Sequence, residues 1–445
     1  MTPEQASQKY KWVKYNSSTN TVELYLDHHM LSWARMCEAG FYFQHILKIN
    51  PSYKRVEAPK IPILRPTNTE KEIIDSTLEG LIDNQKEESE RLENIRASIH
   101  KPWFLEFGEY LHYMFEIYYK SFIHREKSYI LDYLLSPTQQ CLNLTDFLNI
   151  GKKVWNLMDI EWFAGINEKK PGNVDSASHK RYYEVGGWKG VSSLLTQYYV
   201  YYQDLRVRII DTEIIFGYNK EVKIGEFNLI TDYWKERSPY GSWDEDKIET
   251  IEINCFLTGR IDLLIDNGYK IGPVDHKHSH KFYGDESDHY NPQDAITGYI
   301  LATREIMQRN YPKYFETGRE CLSAWVYHIC ATEPSEPRDK NKSRQPRFKT
   351  TPIDKSPQQL EDFKKRQLST FKRIAELLFN DKTPEWNTLV CNNIFNRDCM
   401  YKDIHERSPE QWENIIREYY LVGQEWNPRE RDSDKIDEIL KIERI

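Results

Sequence analysis

The sequence predicts an α/β fold, because a block of strand-like segments lies between segments of helical period. Four segments between residues 205 and 277 are rich in β-branched and aromatic residues: LRVRIIDTEIIFGYN, VKIGEFNLIT, IEINCFLTGRIDLLID and YKIGPVDHK. Asn267-Gly268, between the last two segments, marks a tight hairpin. Since helical segments precede and follow these strands, we expect a central sheet flanked by helices.

The segments before the strands are predominantly helical in pattern. Residues 70–100 are charged and have a helical period, which predicts a solvated helix pair. The next stretch, FLEFGEYLHYMFEIYYKSFIHREKSYILDYLL, predicts a more apolar helix. Residues 166–181, INEKKPGNVDSASHKR, have the composition of a loop insertion.

The segments after the hairpin predict one more helix and one more strand before a long loop. The helix covers NPQDAITGYILATREIMQRNY, the strand covers CLSAWVYHICAT, and residues 332–357 form a basic, Pro-punctuated loop. Helical patterns return after residue 356. We therefore predict an N-terminal helical region over 1–100 and an α/β core over 101–335 with an insertion near 160–190. The basic loop and a C-terminal helical region take up 336–445.

Composition limits the classes of function and location. The 445 residues include 61 Lys+Arg and 69 Asp+Glu, a formal net charge of -8, so any nucleic acid must be held by a local basic channel or through bound cations. No stretch has the character of a signal peptide or approaches the roughly 20 apolar residues that span a bilayer, which predicts a soluble, cytoplasmic protein. Seven unevenly spaced cysteines argue against a disulfide framework and favour metal binding or buried thiols.

The hairpin carries the residues with the clearest chemistry. Asp262 lies within one strand, and Asp275 and Lys277 lie on its partner, where alternation puts them on one face. Folding back at Asn267-Gly268 would bring the two carboxylates within reach of one cation. Adjacent carboxylates repel unless a cation or a proton separates them, and a nearby lysine can orient a water or stabilise negative charge. These groups suit phosphodiester hydrolysis; an exposed polar hairpin is the alternative.

Further polar residues flank the hairpin in sequence. Upstream, Gly108, His112 and Glu116 are spaced to share one face of a helix. Downstream, Gln293 and Tyr299 lie near the start of the helix that follows the hairpin, where they could meet a substrate backbone. Taken separately, each of these sets is also typical of an ordinary helix surface.

Together, these residues resemble the ordered motifs of RecB-type nucleases in the PD-(D/E)xK superfamily. The motifs are G-x-x-x-H with His112, G-R-I-D with Asp262, D-H-K at 275–277, and Gln293 with Tyr299. The resemblance implies a mixed sheet flanked by helices. It also implies that His112, Asp262 and Asp275 bind Mg²⁺ or Mn²⁺, that Lys277 assists the attacking water, and that Gln293 and Tyr299 lie beside DNA.

Two residues of this region depart from the family pattern or extend it. Family members commonly carry an aromatic or small residue where this chain has His276, so we expect His276 to pack or to face solvent and not to bind the metal. Glu213, in IIDTEIIF, matches an acid that often precedes the G-R-I-D strand. Its role stays open at this point.

A second group of residues resembles the metal-cluster members of the same nucleases, the AddB-type enzymes and the CRISPR-associated DNA exonucleases. Those use one cysteine before the nuclease core and three after it; the matching residues here are Cys37, Cys391, Cys399 and His405. Histidine stands where the last cysteine would be, so a [4Fe-4S] cluster with one histidine ligand and a structural Zn²⁺ both fit. Free thiols are the alternative. The remaining cysteines have no matching partner and are interpreted as structural.

The basic loop offers cations for holding DNA phosphates, although a solvated linker is the usual meaning of such a run. Arg344 and Arg347 are our candidates for substrate contact, within a set that also contains Arg338, Lys340, Lys342 and Lys349.

The resemblance implies a divalent-metal-dependent DNA nuclease, foremost an exonuclease that acts on ends or single strands in replication, recombination or repair. The sequence contains no G-x-x-x-x-G-K-[ST] motif, so unwinding would need a helicase partner. A stand-alone nuclease of this size suits a phage or mobile element, acting in the host cytoplasm. A flap or junction endonuclease and a non-catalytic DNA-end-binding protein are the rival interpretations, and oligomers stay open.

Overall fold

A computed structural model of the chain describes residues 1–51, 103–121, 142–158, 160, 176–203, 207–230, 250–279, 294–312, 321–333, 346–380, 382, 384–387, 399, 401–405, 411, 415–416 and 420–422. The α-helices in this part are α1 Pro3–Lys9, α2 His28–Met36, α3 Glu38–Phe41, α4 Trp103–Lys120, α5 Leu144–Leu157, α6 Ser176–Val185, α7 Gly187–Gln203, α8 Asp294–Asn310, α9 Pro357–Phe379 and α10 Lys402–His405. The strands are β1 Val13–Asn16, β2 Thr21–Asp27, β3 Ile49–Pro51, β4 Arg208–Phe216, β5 Lys223–Ile230, β6 Thr250–Asp266, β7 Ile271–Ser279, β8 Ser323–Cys330, β9 Phe348–Asp354 and β10 Tyr420–Val422.

The chain divides into two compact units, and neither is a continuous segment. Unit 1 contains residues 1–99, 217–258 and 362–428, and unit 2 contains 100–216, 259–361 and 429–445. Strand β6 contributes its first part to unit 1 and its second part to unit 2. The division differs from the three consecutive regions that the sequence predicts.

The sheet of unit 2 is mixed. The second part of β6 pairs antiparallel with both β4 and β7. Strand β7 runs parallel to β8, and β8 pairs antiparallel with β9. The β6–β7 hairpin turns at Asn267-Gly268, where Gly268 has a φ of +91°, a conformation that glycine adopts without steric cost. The predicted hairpin and the predicted mixed sheet are confirmed.

Helices cover both faces of this sheet. On one face, α4, α5 and α7 pack against residues such as Leu263, Val274 and Tyr327 in a large aromatic core. On the other face, Ile296 and Ile300 of α8 pack against Ala324 and Val326. These strand residues alternate between the two cores, as the two-residue period of a strand requires. The α/β class is therefore confirmed.

Unit 1 contains strands within the N-terminal region for which the sequence analysis predicted a helical structure. The hairpin β1–β2 lies within the first 100 residues, and β2 runs parallel to the first part of β6, which also pairs with β5. The N-terminal region over 1–100, predicted to be helical, therefore also contains strands. Val22, Leu24 and Leu26 are fully buried, so the alternation in TVELYLD is a strand pattern of period two.

Two predicted loops are partly regular structure. Residues 348–354 form β9, which ends the described strand order of its sheet and so tolerates Pro352, a residue without an N–H to donate. Helix α6 begins at Ser176, inside the predicted insertion. The predicted helix pair over 70–100 lies outside the described residues. Helix α9, 23 residues long, confirms the helical pattern after residue 356. None of the described helices is a candidate for spanning a lipid bilayer.

Candidate metal and active site

The acidic residues of the hairpin lie where β6 and β7 stop pairing. The ladder runs from Asp266↔Ile271 to Leu263↔Val274, so Asp262 and Asp275 occupy the next position on each strand. Beyond that point the backbone N–H of His276 donates to Oδ2 of Asp262 over 2.8 Å. A side-chain carboxylate thus takes the place of a strand carbonyl and lies at the gap between the strands.

Three side chains from three elements form a cluster beside this gap. His112 of α4, Glu213 of β4 and Asp262 of β6 each present one ligand atom, and these atoms all lie within 4.8 Å of one another. His112 Nδ1 is 3.5 Å from Asp262 Oδ2. Asp275 is not part of this group. Imidazole nitrogen together with carboxylate oxygens suits Mn²⁺ and Mg²⁺.

Glu213 reaches the cluster from an unusual backbone conformation. The pairs Thr212↔Leu263 and Ile214↔Ile261 flank it, which sets Glu213 opposite Asp262 in the β4–β6 register. Its φ is +51°, in the left-handed region that residues with a Cβ rarely adopt. The Glu213 carboxylate also lies 3.9 Å from the Arg260 guanidinium.

A glycine sets the approach of α4, the helix that carries His112. A Cβ placed on Gly108 would lie 2.5 Å from Cε1 of His278 on β7. A side chain at position 108 would therefore require the His278 ring or helix α4 to shift. The glycine of the G-x-x-x-H motif thus has a packing role, and His112 lies one helical turn after it.

The remaining two residues of the predicted site form an ion pair on β7. The ammonium of Lys277 lies 3.0 Å from Oδ1 and 2.8 Å from Oδ2 of Asp275. The Asp275 side chain is only 6% exposed, whereas that of Lys277 is 42% exposed. The Lys277 side chain is therefore partly accessible to solvent, and its ammonium is held in place by a buried carboxylate.

The environment separates the pKa values of the two aspartates. Burial raises the pKa of Asp275, the charge of Asp262 raises it further, and Lys277 only partly offsets them. Burial would also raise the pKa of Asp262, but His112 and His276 together hold it below its usual range. Burial lowers the pKa of His112 to about 4, so its imidazole is neutral near pH 7 and keeps a lone pair for a metal. Carboxylates with pKa values pushed apart are typical of functional sites.

His276 packs in the interior, as the sequence analysis predicts. It is 3% exposed, and its ring lies among those of Phe115, Tyr119 and Tyr327. The side chain also has a polar contact that the sequence did not indicate, because its Nδ1 lies 3.5 Å from Asp262 Oδ2.

The predicted substrate-binding residues divide into three groups. Gln293 and Arg344 lie outside the described residues. Tyr299 packs partly buried at the α8 core, with its ring 6.3 Å from that of Phe216. Arg347 is 8% exposed and donates to the carbonyls of Cys330 and Ala331. We therefore correct its assignment: Arg347 joins the end of β8 to the start of β9 instead of facing DNA.

The predicted second metal site falls in unit 1 and is described only in part. Cys37 and Cys399 are buried and form no disulfide, and Cys37 Sγ accepts from the backbone N–H of Gly40 over 3.4 Å. Cys391 and the side chain of His405 lie outside what the structure describes.

Glu213 is the site residue to which the sequence analysis assigned no role. An acid inside the apolar strand RIIDTEIIF is a signal of a functional position, but its partners become visible only in three dimensions.

A scan of the chain against protein-family models gives no match, and a search of curated proteins gives no match either.

Proposed function

We propose that this protein is a divalent-metal-dependent nuclease of the PD-(D/E)xK type that hydrolyses phosphodiester bonds in DNA. The observation that carries the proposal is the meeting of His112, Glu213 and Asp262 within 4.8 Å, beside a ladder end that also presents Asp275 and Lys277. An imidazole, several carboxylates and a lysine are the groups that such a hydrolysis requires.

Each residue has a role that follows from its position. His112, Glu213 and Asp262 would hold Mg²⁺ or Mn²⁺, with Asp275 at the adjacent strand position. A cation bound there supplies Lewis acidity and lowers the pKa of water. Lys277, fixed by Asp275 and partly exposed, would orient the attacking water and offset negative charge on the phosphate oxygens.

The metal requirement and the site can be tested together. We expect cleavage of end-labelled linear DNA with Mg²⁺ or Mn²⁺ and none with EDTA. Because Asp275 borders the metal position and fixes Lys277, Asp275→Ala should abolish cleavage. Unchanged metal-dependent cleavage by Asp275→Ala would refute the assignment of the site.

The type of cleavage can be tested with circular single-stranded DNA beside the same strand in linear form. We propose an exonuclease, for which only the linear strand is a substrate. Cleavage of the circle would identify an endonuclease of the flap or junction type. Tight binding of DNA ends without cleavage under any metal would identify an end-binding protein.

We also propose that Cys37, Cys391, Cys399 and His405 hold a structural metal in unit 1, either a [4Fe-4S] cluster or Zn²⁺. Two of these cysteines, Cys37 and Cys399, are buried outside any disulfide, and the Cys37 sulfur accepts a backbone N–H. Elemental analysis after purification without oxygen distinguishes the metals. Iron with visible colour indicates the cluster, zinc in colourless protein indicates Zn²⁺, and absence of both metals refutes the proposal.

A further inference from the structure

A continuous line of polar contacts leads from the interior of unit 2 to Asp262 in the group that it forms with His112 and Glu213. The hydroxyls of Tyr119 and Tyr198 lie 2.6 Å apart, and the Tyr198 hydroxyl lies 3.2 Å from Nε2 of His276. His276 Nδ1 lies 3.5 Å from Oδ2 of Asp262. We call these four residues the Tyr–His relay. Tyr119, Tyr198 and His276 are each at most 3% exposed.

The direction of each hydrogen bond in the relay follows from the carboxylate of Asp262, at which the relay ends. An ionised carboxylate only accepts, so the proton between His276 and Asp262 lies on Nδ1 of His276. Nε2 then accepts from the Tyr198 hydroxyl, whose oxygen in turn accepts from Tyr119. Burial raises the pKa of both tyrosines well above the usual value, so both hydroxyls keep the protons that this order requires.

We propose that Tyr198 and His276 are positioning residues that set the Asp262 carboxylate for the divalent cation; this inference rests on the proposed metal site. The backbone and the ring of His276 both contact the same oxygen, Oδ2. Two contacts on one oxygen restrict rotation of the carboxylate, and the same oxygen lies 3.5 Å from Nδ1 of His112. Hydrogen-bonding partners of metal ligands orient those ligands in this way.

Close packing supports a fixed relay. The rings of Phe115 and Tyr198 are stacked with centroids 4.0 Å apart, and the His276 ring lies 5.2 Å from that of Phe115. Packed aromatic neighbours hold each ring in one rotamer, so little conformational entropy remains to be lost when the cation binds.

The test is direct binding of Mn²⁺, followed by the electron paramagnetic resonance signal of the free ion. Tyr198→Phe removes one hydroxyl of the relay. Tyr118→Phe is the matched control, because its hydroxyl is buried in the same core but bonds to the carbonyl of Tyr199. His276→Asn retains an N–H near the position of Nδ1, the nitrogen that faces Asp262. His276→Gln places its amide near the position of Nε2, the nitrogen that faces Tyr198.

We expect Tyr198→Phe and His276→Gln to weaken Mn²⁺ binding by about 10-fold or more, as substitutions around metal ligands do. His276→Asn should stay within about threefold of wild type, because it can still donate to Asp262. Tyr118→Phe should not change the affinity. This pattern would support the relay even if DNA were not cleaved, in which case only the proposed nuclease function would fail.

Two results would overturn the inference. Tyr198→Phe with wild-type affinity, or with a loss equal to that of Tyr118→Phe, would show that the hydroxyl only fills the core. Wild-type protein that does not bind Mn²⁺ would refute the metal site and the relay together. Because the two tyrosine variants are isosteric, the comparison stands even where a His276 variant does not fold.

Discussion

At the scale of single residues, Glu213 combines a strained backbone with a place among metal-binding groups. A left-handed φ on a residue with a Cβ costs roughly 1–3 kcal/mol, and such strain tends to be kept at functional positions. Glu213 has this φ and lies within 4.8 Å of His112 and Asp262 through its carboxylate. We infer that the strain is tolerated because it directs this carboxylate to the cluster.

Substituting Glu213 should therefore separate stability from metal binding. Glu213→Gly relieves the φ strain and should raise the free energy of unfolding, without metal, by about 1 kcal/mol relative to Glu213→Gln, which keeps the strain. Both variants should bind Mn²⁺ more weakly than wild type. Urea denaturation measures the first effect and titration calorimetry the second. A glycine variant less stable than the glutamine variant would contradict the account.

A buried carboxyl in unit 1 predicts how stability depends on pH. Asp27 caps helix α2 by accepting from the N–H of Met30 over 2.8 Å, and burial raises its pKa from 3.8 to about 7. The folded protein therefore binds this proton more tightly than the unfolded chain does. The contribution of Asp27 to stability is full below about pH 4 and is lost as the pH rises through 7.

Asp27→Asn keeps the cap and removes the titration. The variant should be more stable than wild type at pH 8, by about 1–3 kcal/mol, and the difference should shrink toward pH 4. Urea denaturation at both pH values measures this. A difference that does not change with pH would show that Asp27 is not a buried titrating group.

The sequence identifies several site residues but not how they meet. Strand alternation and the Asn267-Gly268 turn are local features, and from them the relation of Asp262, Asp275 and Lys277 could be derived. The contacts of Glu213 and His276 depend on a positive φ and on the separation of two strands. Neither feature leaves a local signature in the sequence.

At the scale of elements, the contact between α4 and β7 determines where His112 lies. Gly108→Ala should force α4 away from His278, at a cost of about 1–3 kcal/mol of stability. Because His112 moves with the helix, Mn²⁺ binding should weaken as well. Denaturation and Mn²⁺ titration measure the two effects.

A second substitution tests whether contact with the His278 ring causes the loss of stability in Gly108→Ala. Combining Gly108→Ala with His278→Ala removes the ring that the new methyl group meets, so the double variant should recover stability relative to the sum of the single effects. A coupling of at least about 1 kcal/mol is expected for residues in contact. Additive effects would mean that Gly108 serves a purpose other than this approach.

Prediction at this scale succeeded for β4, β5, β6, β7 and β8, which carry strong apolar patterns. It failed for β1, β2, β3, β9 and β10. The first three of these are short strands in a region whose clearest pattern is that of charged helices. Strand β9 contains Pro352 and directly follows a polar run. Both features are typical of a loop, and they hide the alternation of buried and exposed residues in this strand.

At the scale of the whole molecule, the chain passes between its two units more than once. Residues 217–258 leave unit 2 to join unit 1, and 259–361 return to unit 2. The sequence analysis placed boundaries at changes of composition, and such changes cannot reveal that two distant segments share one unit. The described residues of the candidate site, from His112 to Lys277, lie in unit 2, and Cys37 and Cys399 of the second predicted metal site lie in unit 1.

The central claim is that Lys277 acts in metal-dependent hydrolysis of DNA, and the most direct measurement is the single-turnover rate of cleavage. The comparison is Lys277→Ala against wild type, with Lys270→Ala as control, since Lys270 lies on the same hairpin but pairs with Asp354 at the surface. We predict a loss of about 100-fold or more for Lys277→Ala and none for Lys270→Ala. Cleavage by Lys277→Ala within about threefold of wild type would contradict the account.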